Sequence, residues 1–150
     1  MTPQFLTQLD LSPCPDGLTW RLDQDFLYQS ALVPPASAPP GSTAPALPAI
    51  TIPAGFVTDL ASIPRLFWNI LPPFGKYTEA AVVHDWIYRN HAYPRAICDA
   101  ILLEAMQLCG VGWFQRQLIY RNVRAFGWSA WSAERPLTLD PTFITPHNPS

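Results

Sequence analysis

Charged residues are scarce in this sequence. They make up 13% of its 150 residues, whereas globular domains average about 25%. The net charge is −2 and the nine lysines and arginines are dispersed, so we expect no nucleic-acid binding. Because aromatic residues also make up 13% of the chain, we expect apolar surface that is left over for a partner.

Cysteines and long apolar runs are also few. Cys14, Cys98 and Cys109 are odd in number and include no CxxC pair, which argues against a closed disulfide framework. The chain suits a reducing compartment, or one where the state of the cysteines does not matter. No stretch approaches the roughly 18 apolar residues of a membrane span. The N-terminus has neither a basic start nor an apolar run, so we expect no signal peptide.

Proline, in contrast, is abundant, at 18 of 150 residues. We predict an extended N-terminal arm at 1–17, one globular domain at 18–127 with a Pro-rich loop at 34–48, and an extended C-terminal tail at 128–150. Because Pro-rich segments favour an extended polyproline path, these arms are expected to run over the outside or lie on a partner protein.

Hydrophobic periodicity predicts an α+β fold that is mainly helical. A three-helix core is expected to carry a small antiparallel β-sheet or hairpin from the N-terminal third. Capping signals predict helices from Thr78 to about Asn90, from about Pro94 to Gly110, and from about Trp113 to Phe126.

The third predicted helix combines aromatic and basic residues. Arg121 and Arg124 lie together on one side, where a solvated surface is favoured over a phosphate site. The residues expected to face the core are Phe114, Leu118, Ala125 and Phe126.

The stretch AAVVHDWIYRN places polar residues in an apolar helix, with His84 and Tyr88 on one face. A histidine can act as a general base at neutral pH, and it does so better when a carboxylate orients its second ring nitrogen. Carboxylates can also hold a hard cation that polarises an ester. The candidates for these roles, if the fold brings them together, are Asp59, His84, Asp85 and Asp99.

Each candidate also has a structural interpretation. His84 can be a satisfied core histidine at the edge of a polar patch. Asp59 can cap the turn that follows it. Asp99 lies off the apolar stripe of its helix and can pair with Arg95 or Arg65, or be a solvated side chain.

Three motifs resemble a family of uncharacterised proteins common in tailed-phage and prophage genomes. They are IPAGFVTDLASIPR (52–65), LPPFGKYTEAAVVHDWIY (71–88) and DAILLEAMQLCGV (99–111). The resemblance spans about residues 50–127 and implies a phage origin and little chemistry. The Pro-rich insertion and the C-terminal tail depart from that family.

A more local resemblance concerns HDWIYRN, which is similar to the HDFGYRN helix segment of bacterial and fungal secreted phospholipases of the A-two type. In that family the histidine is the general base and the adjacent aspartate binds calcium. The tyrosine supports a second aspartate, which orients the histidine from an antiparallel helix. The resemblance implies these roles for His84, Asp85, Tyr88 and Asp99 in turn.

The implied cation site would need Asp59 and the Leu60 carbonyl beside Asp85. Oxygen ligands favour calcium, and the single histidine leaves zinc as the alternative. The chain lacks the disulfides of those phospholipases and their glycine- or cysteine-containing calcium loop.

Our leading expectation is a tailed-phage virion component of the tail tip or baseplate, made in the host cytoplasm. It would contact other tail or baseplate proteins through its Pro-rich arms and apolar surface, and it would meet the host envelope. The alternative is a metal-dependent, phospholipase-like hydrolase of envelope lipid or cell wall, with His84 as general base. A third interpretation is an adaptor whose polar cluster is only structural, so the sequence leaves enzymatic activity open.

Overall fold

The computed structural model describes residues 2–32, 46–60 and 75–132, which form an α+β fold with two small antiparallel sheets. This confirms the predicted fold class. The strands are β1 (Gln4–Phe5), β2 (Leu11–Pro13), β3 (Trp20–Leu22), β4 (Phe26–Gln29), β5 (Ile50–Ile52) and β6 (Val57–Thr58). The helices are α1 (Thr78–Arg89), α2 (Arg95–Leu108), α3 (Trp113–Phe126) and the short α4 (Trp128–Ser132).

The two sheets have the strand orders β1-β4-β5 and β2-β3-β6. Side chains alternate across β4, where Phe26 and Tyr28 are fully buried and their neighbours are half-buried, as the two-residue period of a strand requires. The predicted N-terminal arm is extended, but it is also paired, because β1 bonds to β4 and β2 bonds to β3. The arm therefore belongs to the two sheets.

Helix α1 is the central element of the fold. Most of its residues are buried, including both His84 and Asp85. Its contacts with α2 run in opposite sequence directions, with His84 meeting Asp99 and Ile87 meeting Cys98, so the two helices are antiparallel. In a helix that is buried on most faces, polar side chains need hydrogen-bond partners within the protein. We therefore expect His84 and Asp85 to have such partners.

Helix α3 has the predicted bounds, but a different side of the helix faces the core. Four residues were expected to face inward, and the prediction is wrong for three of them: Phe114 and Phe126 are 72% and 68% exposed, and Ala125 is exposed as well. The fourth, Leu118, is half-buried. Ile119 and Val123 are buried instead. They lie one turn apart, so they set which side of α3 meets α2, and Phe114 is roughly 140° around the helix from Ile119.

Several predictions concern segments beyond the described residues. Most of the Pro-rich loop and residues 133–150 of the predicted tail lie there. At the edge of that loop, Leu47 is buried and its N–H donates to the Leu32 carbonyl. The start of the predicted tail forms α4 rather than an extended chain. Within the described ranges, no helix is long and apolar enough to cross a membrane.

Gly127 joins α3 to α4 where there is no room for a side chain. A Cβ at this position would overlap the Val123 carbonyl oxygen and come within 2.7 Å of the Tyr88 hydroxyl. We expect Gly127→Ala to lower the free energy of unfolding by about 1–3 kcal/mol, the usual range for overpacking, as measured by chemical denaturation. Gly112→Ala is the control, because its Cβ would have no neighbour nearer than 4.0 Å; equal losses in the two variants would contradict the prediction.

Candidate functional site

The antiparallel helices α1 and α2 bring His84 and Asp99 together. His84 Nε2 lies 3.1 Å from Asp99 Oδ1, and the two side chains are 4% and 0% exposed. The Tyr88 ring, one turn along α1, packs on the His84 ring at a centroid separation of 4.5 Å. The imidazole is therefore held by a carboxylate and by an aromatic face.

Arginines surround the second oxygen of Asp99. Arg124 Nη1 on α3 lies 2.8 Å from Asp99 Oδ2, and Arg95 Nε lies 3.8 Å from the same oxygen. Burial acts to raise the pKa of Asp99, but the hydrogen bonds from His84 and Arg124 outweigh it, so the pKa is lowered. Because the carboxylate is ionised and accepts, the Nε2–H of His84 is directed at Asp99 Oδ1.

Tyr88 does not bond to Asp99 in the way that the phospholipase resemblance implied. Its hydroxyl donates to the Gly127 carbonyl at 3.1 Å and accepts from Arg95 Nε at 2.9 Å. Burial raises the pKa of Tyr88. Tyr88 thus positions the His84 ring directly and reaches Asp99 only through Arg95.

The two predicted cation ligands lie around an arginine. Asp85 Oδ2 accepts from the Thr58 hydroxyl at 2.6 Å, and Asp85 Oδ1 accepts from Arg89 Nε at 2.8 Å. Arg89 Nη2 also lies 3.4 Å from Asp59 Oδ1. Burial raises the pKa of Asp85 and the nearby Asp59 charge adds to the rise, whereas Arg89 and Thr58 act against it. The guanidinium of Arg89 thus supplies positive charge between the two carboxylates.

The backbone after β6 turns tightly beside this pair. Leu60 has a φ of 55°, and its N–H donates to the Thr58 hydroxyl. Thr58 therefore links the turn that carries Asp59 to Asp85. In the part of the chain that the structure describes, no three His, Cys, Asp or Glu side chains are grouped to hold a metal ion, and calcium or zinc binding stays a prediction.

Sequence reasoning missed three residues of the site. Arg89 was detectable, because it lies four residues after Asp85 on the same helix face. Thr58 and Arg124 come from other elements, and only the tertiary fold brings their side chains to Asp85 and Asp99.

Residues 20–123 match the family model described as "Protein of unknown function (DUF1353)". The match covers more than half of the chain. The chain belongs to the DUF1353 family. No curated protein and no solved structure matches it. The region shared with DUF1353 runs from β3 into the last turn of α3, so it contains the His84–Asp99 pair and the Asp85–Arg89 pair, while Arg124 lies just beyond it.

Proposed function

We propose that this DUF1353 protein is a hydrolase of host-envelope lipid or cell wall, with His84 as its general base. The observation that carries the proposal is the 3.1 Å contact between His84 Nε2 and the buried carboxylate of Asp99. A carboxylate on one ring nitrogen fixes the tautomer and stabilises the imidazolium that forms when the other nitrogen takes a proton.

In the proposed chemistry, His84 acts through the ring nitrogen that does not face Asp99. His84 Nδ1 would accept a proton from water while the water oxygen attacks the carbonyl carbon of an ester or amide. The bond to the leaving group then breaks, and the imidazolium returns its proton to that group. Asp99 keeps its charge throughout, held by Arg124. The likeness of HDWIYRN to the phospholipase helix supports an ester as the bond and lipid as the first substrate to test.

The direct test is a substrate screen. Purified full-length protein is incubated with phospholipid vesicles and, separately, with bacterial cell wall, and the release of fatty acid or of soluble wall fragments is measured. Heat-denatured protein is the blank. Release from either substrate above the blank supports the proposal, and no release from any envelope substrate overturns it.

The proposal extends to a cation at Asp59 and Asp85, as the phospholipase resemblance implies. Because Arg89 already contacts both carboxylates, calcium would have to displace its guanidinium. We expect calorimetry to find weak calcium binding in the wild type, tighter binding in Arg89→Gln, and none in Asp85→Asn. The same calcium affinity in all three proteins would contradict a site at Asp85.

A second candidate function is a structural part of the virion tail tip or baseplate. The resemblance to tailed-phage proteins motivates it, and the placement of β1 and β2 at the edges of the two sheets, among the residues that the structure describes, favours it. Exposed Leu6 and Leu18 flank these strands. Edge strands with nearby apolar side chains are where a neighbouring subunit can add a strand.

The virion function is tested on purified phage particles. Mass spectrometry of particles and of separated tails should find the chain in stoichiometric amounts, and chemical cross-links should fall on residues near β1 and β2. Its absence from intact particles would reject this function without affecting the hydrolase proposal.

A further inference from the structure

We propose that the outer face of α3 binds the surface of an anionic lipid bilayer. This lipid-binding face consists of Trp113, Phe114 and Arg121, which lie within roughly 100° of one another around the helix. Its effect on catalysis would rest on the hydrolase function proposed above, whereas lipid binding itself can be measured without turnover.

Aromatic side chains lie at both ends of α3 and point to solvent. Trp113 and Trp128 are 66% and 62% exposed, and Phe114 and Phe126 are exposed as well. Phe126 lies roughly 120° around the helix from Phe114 and Trp128 belongs to α4, so the lipid-binding face is formed at the start of α3 by Trp113 and Phe114. Large aromatic side chains of this kind are favoured at a membrane interface, where an apolar ring meets polar headgroups.

Charge on α3 is of one sign. The helix sequence WFQRQLIYRNVRAF has three arginines and no acidic residue, although the whole chain has a net charge of −2. Arg121 is exposed, and Arg124 is exposed while it holds Asp99. Arg116 bonds the Val111 carbonyl, so Arg121, on the same side of α3 as Phe114, supplies the positive charge that an anionic lipid surface attracts.

The position of α3 relates this face to the His84–Asp99 pair. Arg124 belongs to α3, and its guanidinium bonds the carboxylate that contacts His84. A bilayer bound to α3 would therefore lie one side chain away from the pair. This placement deepens the hydrolase proposal by making anionic phospholipid in a bilayer the substrate class.

The test is vesicle flotation with full-length protein at low ionic strength. Mixed phosphatidylglycerol–phosphatidylcholine vesicles should bind the protein, pure phosphatidylcholine vesicles should bind it weakly, and added salt should release it, because surface charges are screened within about 10 Å at 0.1 M. Trp113→Ala combined with Phe114→Ala should lower partitioning at least about tenfold. Arg121→Gln should lower it about fivefold on anionic vesicles alone.

Two variants away from α3 serve as matched controls. Leu18→Ala removes an apolar side chain that is exposed in the turn between β2 and β3, and Lys76→Gln removes an exposed positive charge before α1. Both should float like the wild type. Failure of the wild type to bind anionic vesicles, or equal losses in the controls and the α3 variants, overturns the inference.

The outcomes separate this inference from the hydrolase proposal. His84→Gln should bind vesicles like the wild type, because His84 is not on the lipid-binding face. Vesicle binding without hydrolysis of any substrate would support the inference and count against the hydrolase. Hydrolysis of dispersed substrate without vesicle binding would support the hydrolase proposal and overturn the lipid-binding inference. Loss of assembly into particles in the α3 variants, without vesicle binding by the wild type, would identify a protein interface and overturn the inference.

Discussion

His84→Gln is expected to lower turnover of the envelope substrate by about 10²–10⁴-fold, the usual contribution of a general base. Glutamine can still donate a hydrogen bond toward Asp99, so the buried carboxylate keeps a partner. It offers no basic nitrogen to water. We therefore expect the melting temperature to stay near that of the wild type while kcat falls, as measured by calorimetry and by steady-state kinetics.

His91→Gln is the matched control for this prediction. His91 lies just after α1, is exposed, and contacts the Trp131 carbonyl through Nε2. Its replacement should leave kcat unchanged. Full activity in His84→Gln would remove His84 from the mechanism. A large loss of melting temperature, in a protein that turns over no substrate, would instead support the purely structural interpretation of the cluster.

The helix bounds were largely predictable from local signals. Gly110 has a φ of 71° and follows α2, as its position after an apolar-periodic stretch indicated. Thr78 begins α1 rather than capping it, and its hydroxyl bonds to the Gly75 backbone instead. A threonine next to a helix start predicts the start well, but the capping role depends on the loop before it.

The faces of the helices were less predictable than their bounds. Asp99 was placed off the apolar stripe of α2, yet its side chain is fully buried. Periodicity averages over a helix, whereas burial follows contact with neighbours on both sides, and Asp99 lies between α1 and α3. The outward phase of Phe114 has the same cause, because α3 offers apolar residues on more than one side.

A residue pair of the site was predictable when both residues lie on one helix at a spacing that brings their side chains together. Asp85 and Arg89 follow from a four-residue spacing on one helix. The pairing of His84 with Asp99 was implied by the phospholipase resemblance alone. Arg124 was interpreted as part of a solvated surface, and it is still partly exposed while it holds Asp99. A side chain that is partly exposed and also contacts a buried carboxylate can be recognised only when the position of α3 against α2 is known.

Asp99→Asn is expected to destabilise the fold by about 1.5–3 kcal/mol near neutral pH, the range for hydrogen bonds to charged groups. The low end is favoured for Arg124, because its side chain is 40% exposed and can turn to water. The His84 side chain is buried and cannot turn to water. Most of the destabilisation should therefore come from its Nε2–H, which loses a charged hydrogen-bond acceptor. Chemical denaturation gives the difference in unfolding free energy.

The difference in unfolding free energy between the wild type and Asp99→Asn should depend on pH. The folded-state pKa of Asp99 is below its ordinary value of 3.8, so the unfolded chain takes up the proton first as the pH falls. The stabilisation from Asp99 is therefore present above about pH 5 and is lost as the pH falls through the folded-state pKa. The wild type and Asp99→Asn should differ most near neutral pH and converge in acid. Asp10→Asn, at an exposed aspartate, controls for the loss of one negative charge; a difference that grows in acid would reject an ionised, stabilising Asp99.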